Sequence, residues 1–192
     1  MAIAPLTPRL VIFDLDGTLG VLPVDWYGLK KTLEDDVRTT TGSAASFSYW
    51  SGIQLLKQKL GTEGLNKAYA IIQQYEGKGA AEFVPNESAI DYLKTVAARG
   101  GVVAICTNNM TSTVTVVLER LGLRSHVSCV VGMDSVSRPK PDPEGLALIL
   151  KTLKITGEEA LFIGDAESDR DSARAAAIRF VAVDSPEFGR LR

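Results

Sequence analysis

The sequence is poor in the residues that build disulfide frameworks and zinc sites. Its 192 residues include two cysteines, Cys106 and Cys129, and one histidine, His126. Two cysteines are too few for a disulfide framework and fit a reducing compartment, where they act as small apolar residues. A zinc site is also disfavoured, because the single histidine is not accompanied by a close cysteine pair.

Long hydrophobic runs and basic stripes are missing as well. No apolar run approaches the length needed to cross a bilayer, and the first residues lack the charged and apolar regions of a secretion signal. We therefore expect a cytoplasmic location and no membrane partner. The net charge is -2, from 21 basic and 23 acidic residues without a basic cluster, which disfavours a nucleic-acid partner.

Short apolar runs alternate with helical patterns over most of the chain. A run such as 10–13, which is apolar throughout, is typical of a strand buried on both faces of a parallel sheet. From about residue 85 onward, strand and helix patterns alternate, which predicts an α/β fold with right-handed crossovers. The predicted strands are 10–13, 102–106, 160–163, 180–183 and, with a weaker pattern, 127–131.

The segment from 20 to 84 has a different pattern. It contains no convincing strand, and helical stretches are predicted near 25–38, 47–60 and 63–76, separated by Gly42, Gly61 and Gly77. We predict a core of residues 1–19 and 85–192 with a small helical cap of residues 20–84 inserted after the first strand. Trp26, Tyr49 and Trp50 are interpreted as packing inside this cap, with a platform for the substrate as the alternative. Asp25 and Lys30 suit either a cleft or a solvated helix face.

Two carboxylates follow the first predicted strand. Asp14 and Asp16 alternate at the strand end and therefore fall on the same side, and Gly17 reverses the chain beside them. Neighbouring carboxylates repel unless a positive group separates them, and a hard cation such as Mg²⁺ prefers oxygen ligands. One carboxylate could then attack phosphorus while the other transfers a proton. The simpler alternative is a turn that only ends the strand.

Three further motifs follow later predicted strands or precede helices. Thr107 can donate a hydrogen bond to a phosphoryl oxygen, and Lys140, within a proline-rich loop, can neutralise negative charge. Asp165 and Asp169 can complete the ligand shell of a cation or orient Lys140. Each motif alone is common in loops and helix caps, but the carboxyl ends of parallel strands lie at one sheet edge, where ligands bind.

Together these motifs resemble those of the haloacid dehalogenase superfamily. Asp-Leu-Asp-Gly-Thr-Leu, Cys-Thr-Asn, Arg-Pro-Lys-Pro-Asp-Pro and Gly-Asp-Ala-Glu-Ser-Asp occur in the order of its four motifs, from Leu10 to Val183. The resemblance is closest to the subfamily of phosphoglycolate phosphatase and beta-phosphoglucomutase. It implies a Rossmann-like three-layer core with a parallel sheet and a helical cap. One departure is Ala177, which stands where many relatives have glycine after the last core helix.

The resemblance also implies roles for individual residues. Asp14 would be the nucleophile and Asp16 the general acid and base. Thr107 and Lys140 would complete the catalytic set and bind the transferring group, and Gly17, Thr18 and Asn108 would join them in substrate binding. Mg²⁺ would be held by Asp14, the backbone carbonyl of Asp16, Asp165 and, in a supporting position, Asp169.

The expected activity is hydrolysis of a small phosphorylated metabolite. An acid at Asp16 disfavours dehalogenases and phosphonate-cleaving enzymes within the resembled superfamily. A phosphosugar mutase with the same aspartyl-phosphate remains an alternative, as does a catalytically silent binding protein on the same fold. The expected assembly state is a monomer or a weak homodimer.

Overall fold

The fold is an α/β sandwich around a five-stranded parallel sheet. A computed structural model describes residues 8–42 and 49–191. The sheet order is β5-β4-β1-β6-β7, and a separate ribbon pairs β2 with β3. The elements are β1 (Leu10–Phe13), β2 (Gly20–Val21), α1 (Trp26–Thr41), α2 (Tyr49–Leu60), α3 (Thr62–Ala81), β3 (Val84–Pro85), α4 (Glu87–Ala98), β4 (Val102–Cys106), α5 (Thr111–Arg120), β5 (Cys129–Val131), α6 (Glu144–Leu153), β6 (Ala160–Gly164), α7 (Glu167–Ala175), β7 (Arg179–Ala182) and α8 (Pro186–Gly189).

Strand β1 lies at the centre of the sheet and is buried on both faces. Val11 and Phe13 pack into one apolar cluster, and Leu10 and Ile12 pack into the cluster on the opposite face. This alternation follows from the two-residue period of a strand. The continuous apolar run of β1 thus supplies both halves of the core, and the predicted Rossmann-like α/β class is confirmed.

The register of the sheet determines where the polar motifs lie. Phe13 at the end of β1 is opposite Ile105 in β4 and Ile163 in β6. Parallel neighbours in register end at the same edge, so the residues after these strands emerge side by side. Asp14, Thr107 and Asp165 therefore arise from adjacent positions at one end of the sheet.

Residues 20–84 are called the cap segment here, and its described part contains three helices and most of the short ribbon, whose last residue is Pro85. The predicted helix near 25–38 is α1, which continues to Thr41. Helix α2 ends at Leu60 as predicted, and its predicted start at 47 lies outside the described residues. Two details of the prediction were wrong. Residues 20–21 and 84–85 do form strands, which pair with each other, and α3 continues through Gly77 to Ala81. The division into core and cap domains stays a prediction.

The remaining boundaries differ from the predicted ones by one or two residues, a usual uncertainty at element ends. Strand β7 spans Arg179–Ala182, one residue earlier than predicted, and β5 begins at Cys129 after a short 3-10 turn. Among the described residues, no helix combines the length and the apolar character that crossing a membrane requires.

Candidate active site

An ammonium between two carboxylates forms the centre of the site. Lys140 Nζ donates to Asp14 Oδ1 at 2.8 Å and to Asp169 Oδ1 at 2.5 Å, and all three side chains are buried. They come from distant parts of the chain. Asp14 follows β1, Lys140 precedes α6, and Asp169 lies in the first turn of α7. The fold thus brings together three residues that the sequence motifs singled out.

Burial and charge both shift the pKa values of Lys140 and Asp14. Burial alone would lower the pKa of Lys140, but the carboxylates of Asp14 and Asp169 outweigh it and raise that pKa. Burial raises the pKa of Asp14 from 3.8 to about 6, with Lys140 opposing the rise and Asp169 adding to it. The ammonium therefore stays charged, and it is the group that makes two buried carboxylates tolerable.

Asp165 adds a third carboxylate at the end of β6. One oxygen each of Asp14, Asp165 and Asp169 lie within 4.8 Å of one another. Burial raises the pKa of Asp165, and the nearby charge of Asp169 raises it further. Asp169 Oδ2 accepts hydrogen bonds from the backbone N–H groups of Asp165 and Ala166. Its other oxygen accepts from Lys140, so hydrogen bonds to both carboxylate oxygens hold the Asp169 side chain in place.

These carboxylates fit a divalent cation. Three carboxylates lie together and one ammonium pairs with two of them, which leaves negative charge uncompensated at the cluster. Oxygen donors at this spacing are the ligands that Mg²⁺ prefers. Asp14 and Asp165 are the residues that would hold the ion directly, with Asp169 supporting them. The contribution of the Asp16 backbone carbonyl stays a prediction.

Glycines give the acids the space that they need. The φ angle of Gly17 is +86°, and a Cβ built there would lie 2.2 Å from Asp165 Oδ2. A Cβ on Gly164 would lie 2.4 Å from Asp169 Oδ2. Thr18 is fully buried, and its hydroxyl donates to Asp165 Oδ1 at 3.3 Å. Gly17 and Thr18 thus lie beside Asp165, and their direct role in substrate binding stays a prediction.

Asp16 is half-buried next to this cluster. Its Oδ1 accepts from the backbone N–H of Leu22 at 2.7 Å, which connects it to the first residues of the cap segment. Burial raises the pKa of Asp16, the Leu22 amide opposes the rise, and Asp165 adds to it. Burial thus favours the protonated form of Asp16, which is the direction of shift that a general acid requires.

Thr107 and Asn108 follow β4 and line the same opening. Asn108 Oδ1 accepts from the backbone N–H of Lys140, and Asn108 Nδ2 donates to the Lys140 carbonyl, both at 3.0 Å. This pair of hydrogen bonds holds the Lys140 backbone against the end of β4. The Thr107 hydroxyl is buried and donates to Asn109 Oδ1 at 2.9 Å. The sequence-based interpretation gave Asn109 no role.

A cavity of about 430 Å³ opens onto these groups. The cap segment contributes three further lining residues, Trp26, Lys30 and Tyr49. Trp26 is 43% exposed, so its interpretation as part of a packed cap interior was wrong. The core residues along the cavity are Asp14, Asp16, Thr107, Asn108, Asn109, Lys140, Asp165, Ala166, Ser168 and Asp169.

Comparisons with known proteins agree with this geometry. The model of the haloacid dehalogenase-like hydrolase family matches residues 11–183. A phosphoglycolate phosphatase of Rhodospirillum rubrum is 33% identical over 191 residues, an alignment that covers 92% of this chain and 79% of that protein.

Solved structures show the same architecture. A haloacid dehalogenase-superfamily hydrolase from Geobacter sulfurreducens superposes with a TM-score of 0.59 at 26% identity, covering 96% of this chain and 91% of that one. A predicted phosphoglycolate phosphatase from Haemophilus somnus gives a TM-score of 0.65 at 22% identity, with 96% and 91% coverage, and supports the fold alone. The predicted resemblance is confirmed, and the chain belongs to the haloacid dehalogenase-like hydrolase family.

Proposed function

We propose that this chain is a Mg²⁺-dependent phosphatase that hydrolyses a small phosphorylated metabolite through a phosphoryl group transiently attached to Asp14. The observation that carries this proposal is the buried contact of Lys140 with Asp14 and Asp169, beside Asp165 and at the base of an open cavity. Transfer of a phosphoryl group depends chiefly on positioning and on neutralising negative charge. The bound ion would supply part of that neutralisation.

In the first half of the reaction, a carboxylate oxygen of Asp14 forms a bond to phosphorus. The bond from phosphorus to the ester oxygen breaks at the same time. Asp16, whose pKa is raised by burial, donates its proton to that oxygen, and the alcohol leaves. Lys140 supplies positive charge beside Asp14, which reduces the repulsion between the nucleophile and the phosphoryl group.

In the second half, water releases the phosphoryl group. The Asp16 carboxylate takes a proton from a water molecule, whose oxygen bonds to phosphorus. The bond between phosphorus and Asp14 then breaks, so orthophosphate leaves and Asp14 is regenerated. Asp16 ends the cycle with the proton that it had at the start, which is the requirement for a residue that acts as acid and then as base.

Phosphoglycolate is the first substrate to test. The curated relatives that the chain resembles are phosphoglycolate phosphatases. The cavity is small, and Lys30 of the cap segment lines it together with the acid cluster and Lys140. A second cation in the cavity suits a substrate that carries a carboxylate besides its phosphate.

The experiment is phosphate release from a panel of phosphorylated metabolites, with and without Mg²⁺. We expect hydrolysis that requires the ion and is abolished in Asp14→Asn, since the amide is not a nucleophile. The matched control is Asp171→Asn, because Asp171 pairs with Arg174 on the surface of α7. That variant should keep the parent rate, whereas full activity in Asp14→Asn would contradict the proposal.

A further inference from the structure

A buried acid of the cap segment lies outside the four sequence motifs. Glu76 is fully buried on α3, on the same face as Ala68, Ile72 and Ala80, which are also fully buried. A carboxylate in an apolar row costs considerable free energy unless hydrogen bonds compensate for its missing hydration. Burial raises the pKa of Glu76, and donors from Thr113, Met110 and Asn109 oppose the rise.

The three donors belong to the core, at the start of α5. Glu76 Oε2 accepts from the Met110 backbone N–H at 2.9 Å and from Thr113 Oγ1 at 2.6 Å. Glu76 Oε1 accepts from Asn109 Nδ2 at 3.1 Å. A negative group at a helix N-terminus is also favoured by the helix dipole. Glu76 therefore attaches the cap segment to the core where the loop after β4 becomes a helix.

The same hydrogen bonds continue into the cavity. Asn109 Oδ1 accepts from the Thr107 hydroxyl at 2.9 Å, and the Asn109 backbone N–H donates back to Thr107 Oγ1 at 3.2 Å. A carboxylate can only accept, so Glu76 requires that the amide nitrogen of Asn109 faces it. The amide oxygen must then face Thr107. The acid on the cap segment thus determines how the Thr107 hydroxyl is oriented.

We propose that Glu76 is a positioning residue that acts through Asn109 to set the hydrogen-bond direction of Thr107 and, with it, the affinity of the site for a phosphoryl group. This inference rests on the proposed phosphatase function and deepens it. Asn109 Oδ1 holds the Thr107 hydroxyl proton until a phosphoryl oxygen, a stronger acceptor because it is charged, takes it. A phosphoryl group must therefore compete with Asn109 for this proton, so docking of the cap segment limits the affinity of the site for phosphate.

Glu76→Gln tests the proposal with almost no change in shape. A glutamine has one acceptor oxygen, so it cannot accept from Asn109 and from Met110 and Thr113 together. With its oxygen towards Met110 and Thr113, the glutamine turns its amide nitrogen to Asn109, whose own amide then reverses and donates to Thr107 Oγ1, so the hydroxyl proton is free for a phosphoryl oxygen. We expect the KM for a phosphorylated substrate and the Kd for orthophosphate with Mg²⁺ to fall about tenfold each, the effect of about one competing hydrogen bond. The value of kcat should change much less, because Thr107 binds the phosphoryl group equally before and during its transfer.

Thr113→Val is the control for a purely structural role. It removes a hydrogen bond to Glu76 Oε2 but leaves the path from Glu76 through Asn109 to Thr107 intact. It should lower the free energy of unfolding while KM and orthophosphate affinity stay at the parent values. Parent-like or higher KM and Kd in Glu76→Gln, or an equal fall in Thr113→Val, would overturn the proposal.

Two further readouts keep the test decisive. If the unchanged chain hydrolyses no phosphorylated metabolite, the proposed function fails, whereas calorimetric binding of orthophosphate still tests Glu76. If Glu76→Gln does not fold, Asn109→Ala removes the intermediate link and leaves Glu76 the donors from Met110 and Thr113. Unchanged orthophosphate affinity in that variant would contradict the role assigned to Glu76.

Discussion

At the scale of single residues, the acids of the site depend on a neighbour that has no side chain. Gly17 combines a φ of +86° with a position where a Cβ would lie 2.2 Å from Asp165 Oδ2. Gly100 has a similar φ of +79°, but a Cβ there would meet nothing within 4 Å. Comparing an alanine substitution at each glycine therefore distinguishes the effect of backbone strain from the effect of displacing Asp165.

We expect Gly17→Ala and Gly100→Ala to be destabilised similarly but to differ in activity. The unfolding free energy of each should fall by about 1–2 kcal/mol, since an L-residue is strained in the left-handed region. Only Gly17→Ala should also be slower, by about a hundredfold, because it displaces an acid of the site. Denaturant unfolding and phosphate-release rates measure both effects. Equal rate decreases in the two variants would show that Asp165 is not positioned in this way.

The sequence revealed some of these residues because they lie in compact motifs next to strands. Asp14, Lys140 and Asp165 each follow or precede an element with a clear pattern. Glu76 was missed, although it had a signal: an acid in a four-residue repeat with Ala68, Ile72 and Ala80 on one helix face. Trp26 was assigned to the cap interior, because aromatic composition alone does not tell which face of a helix meets a cavity.

At the scale of elements, the buried ion triad joins β1, the loop before α6 and the start of α7. In the ion pairs that the structure describes for Asp14 and Asp169, the only cation is Lys140. Removing one partner of a buried pair leaves an uncompensated charge, which costs about 3–5 kcal/mol. The contact therefore stabilises the arrangement of three separate elements.

We expect Lys140→Ala, with metal chelated, to reduce the unfolding free energy by about 3–5 kcal/mol at neutral pH. In the parent, the pKa of Asp14 rises from 3.8 to about 6 on folding; without Lys140 it rises further. A raised acid pKa means that the folded chain binds the proton more tightly than the unfolded chain, so stability falls as pH rises above 3.8. The destabilisation should therefore shrink as the pH is lowered towards that value.

Lys151→Ala provides the matched control, since Lys151 is exposed on α6. Its unfolding free energy should differ little from that of the parent at each pH, as for most surface substitutions. Denaturant titrations over a pH series would measure both variants. A destabilisation by Lys140→Ala that stays constant with pH would show that the two acids do not carry uncompensated charge.

Element boundaries were predictable only where the local pattern is strong. The run 10–13 is apolar throughout and gave β1 without error. Gly77 was expected to interrupt α3, yet the helix continues because packing of its buried face outweighs the weak helix propensity of glycine. The two-residue strands β2 and β3 left no pattern, since a ribbon so short depends on the pairing of distant residues.

At the scale of the whole molecule, the site is assembled by topology. Parallel strands in register deliver Asp14, Thr107 and Asp165 to one edge, and Trp26 and Lys30 of the cap segment line the same cavity. The strand order β5-β4-β1-β6-β7 places β1 between the two strands that precede Thr107 and Asp165. The sequence order of motifs was sufficient to predict this convergence, but not the hydrogen bonds that connect the cap segment to it.

The proposed reaction depends on phosphorylation of Asp14 during turnover, which acid quenching of the enzyme with its substrate would detect. Peptide mass spectrometry of the quenched protein should find one phosphoryl group on the peptide that contains Asp14, and hydroxylamine should remove it because it is an acyl phosphate. Asp14→Asn should carry none. Steady phosphate release with no phosphorylated peptide, or with the phosphoryl group on another residue, would contradict the account.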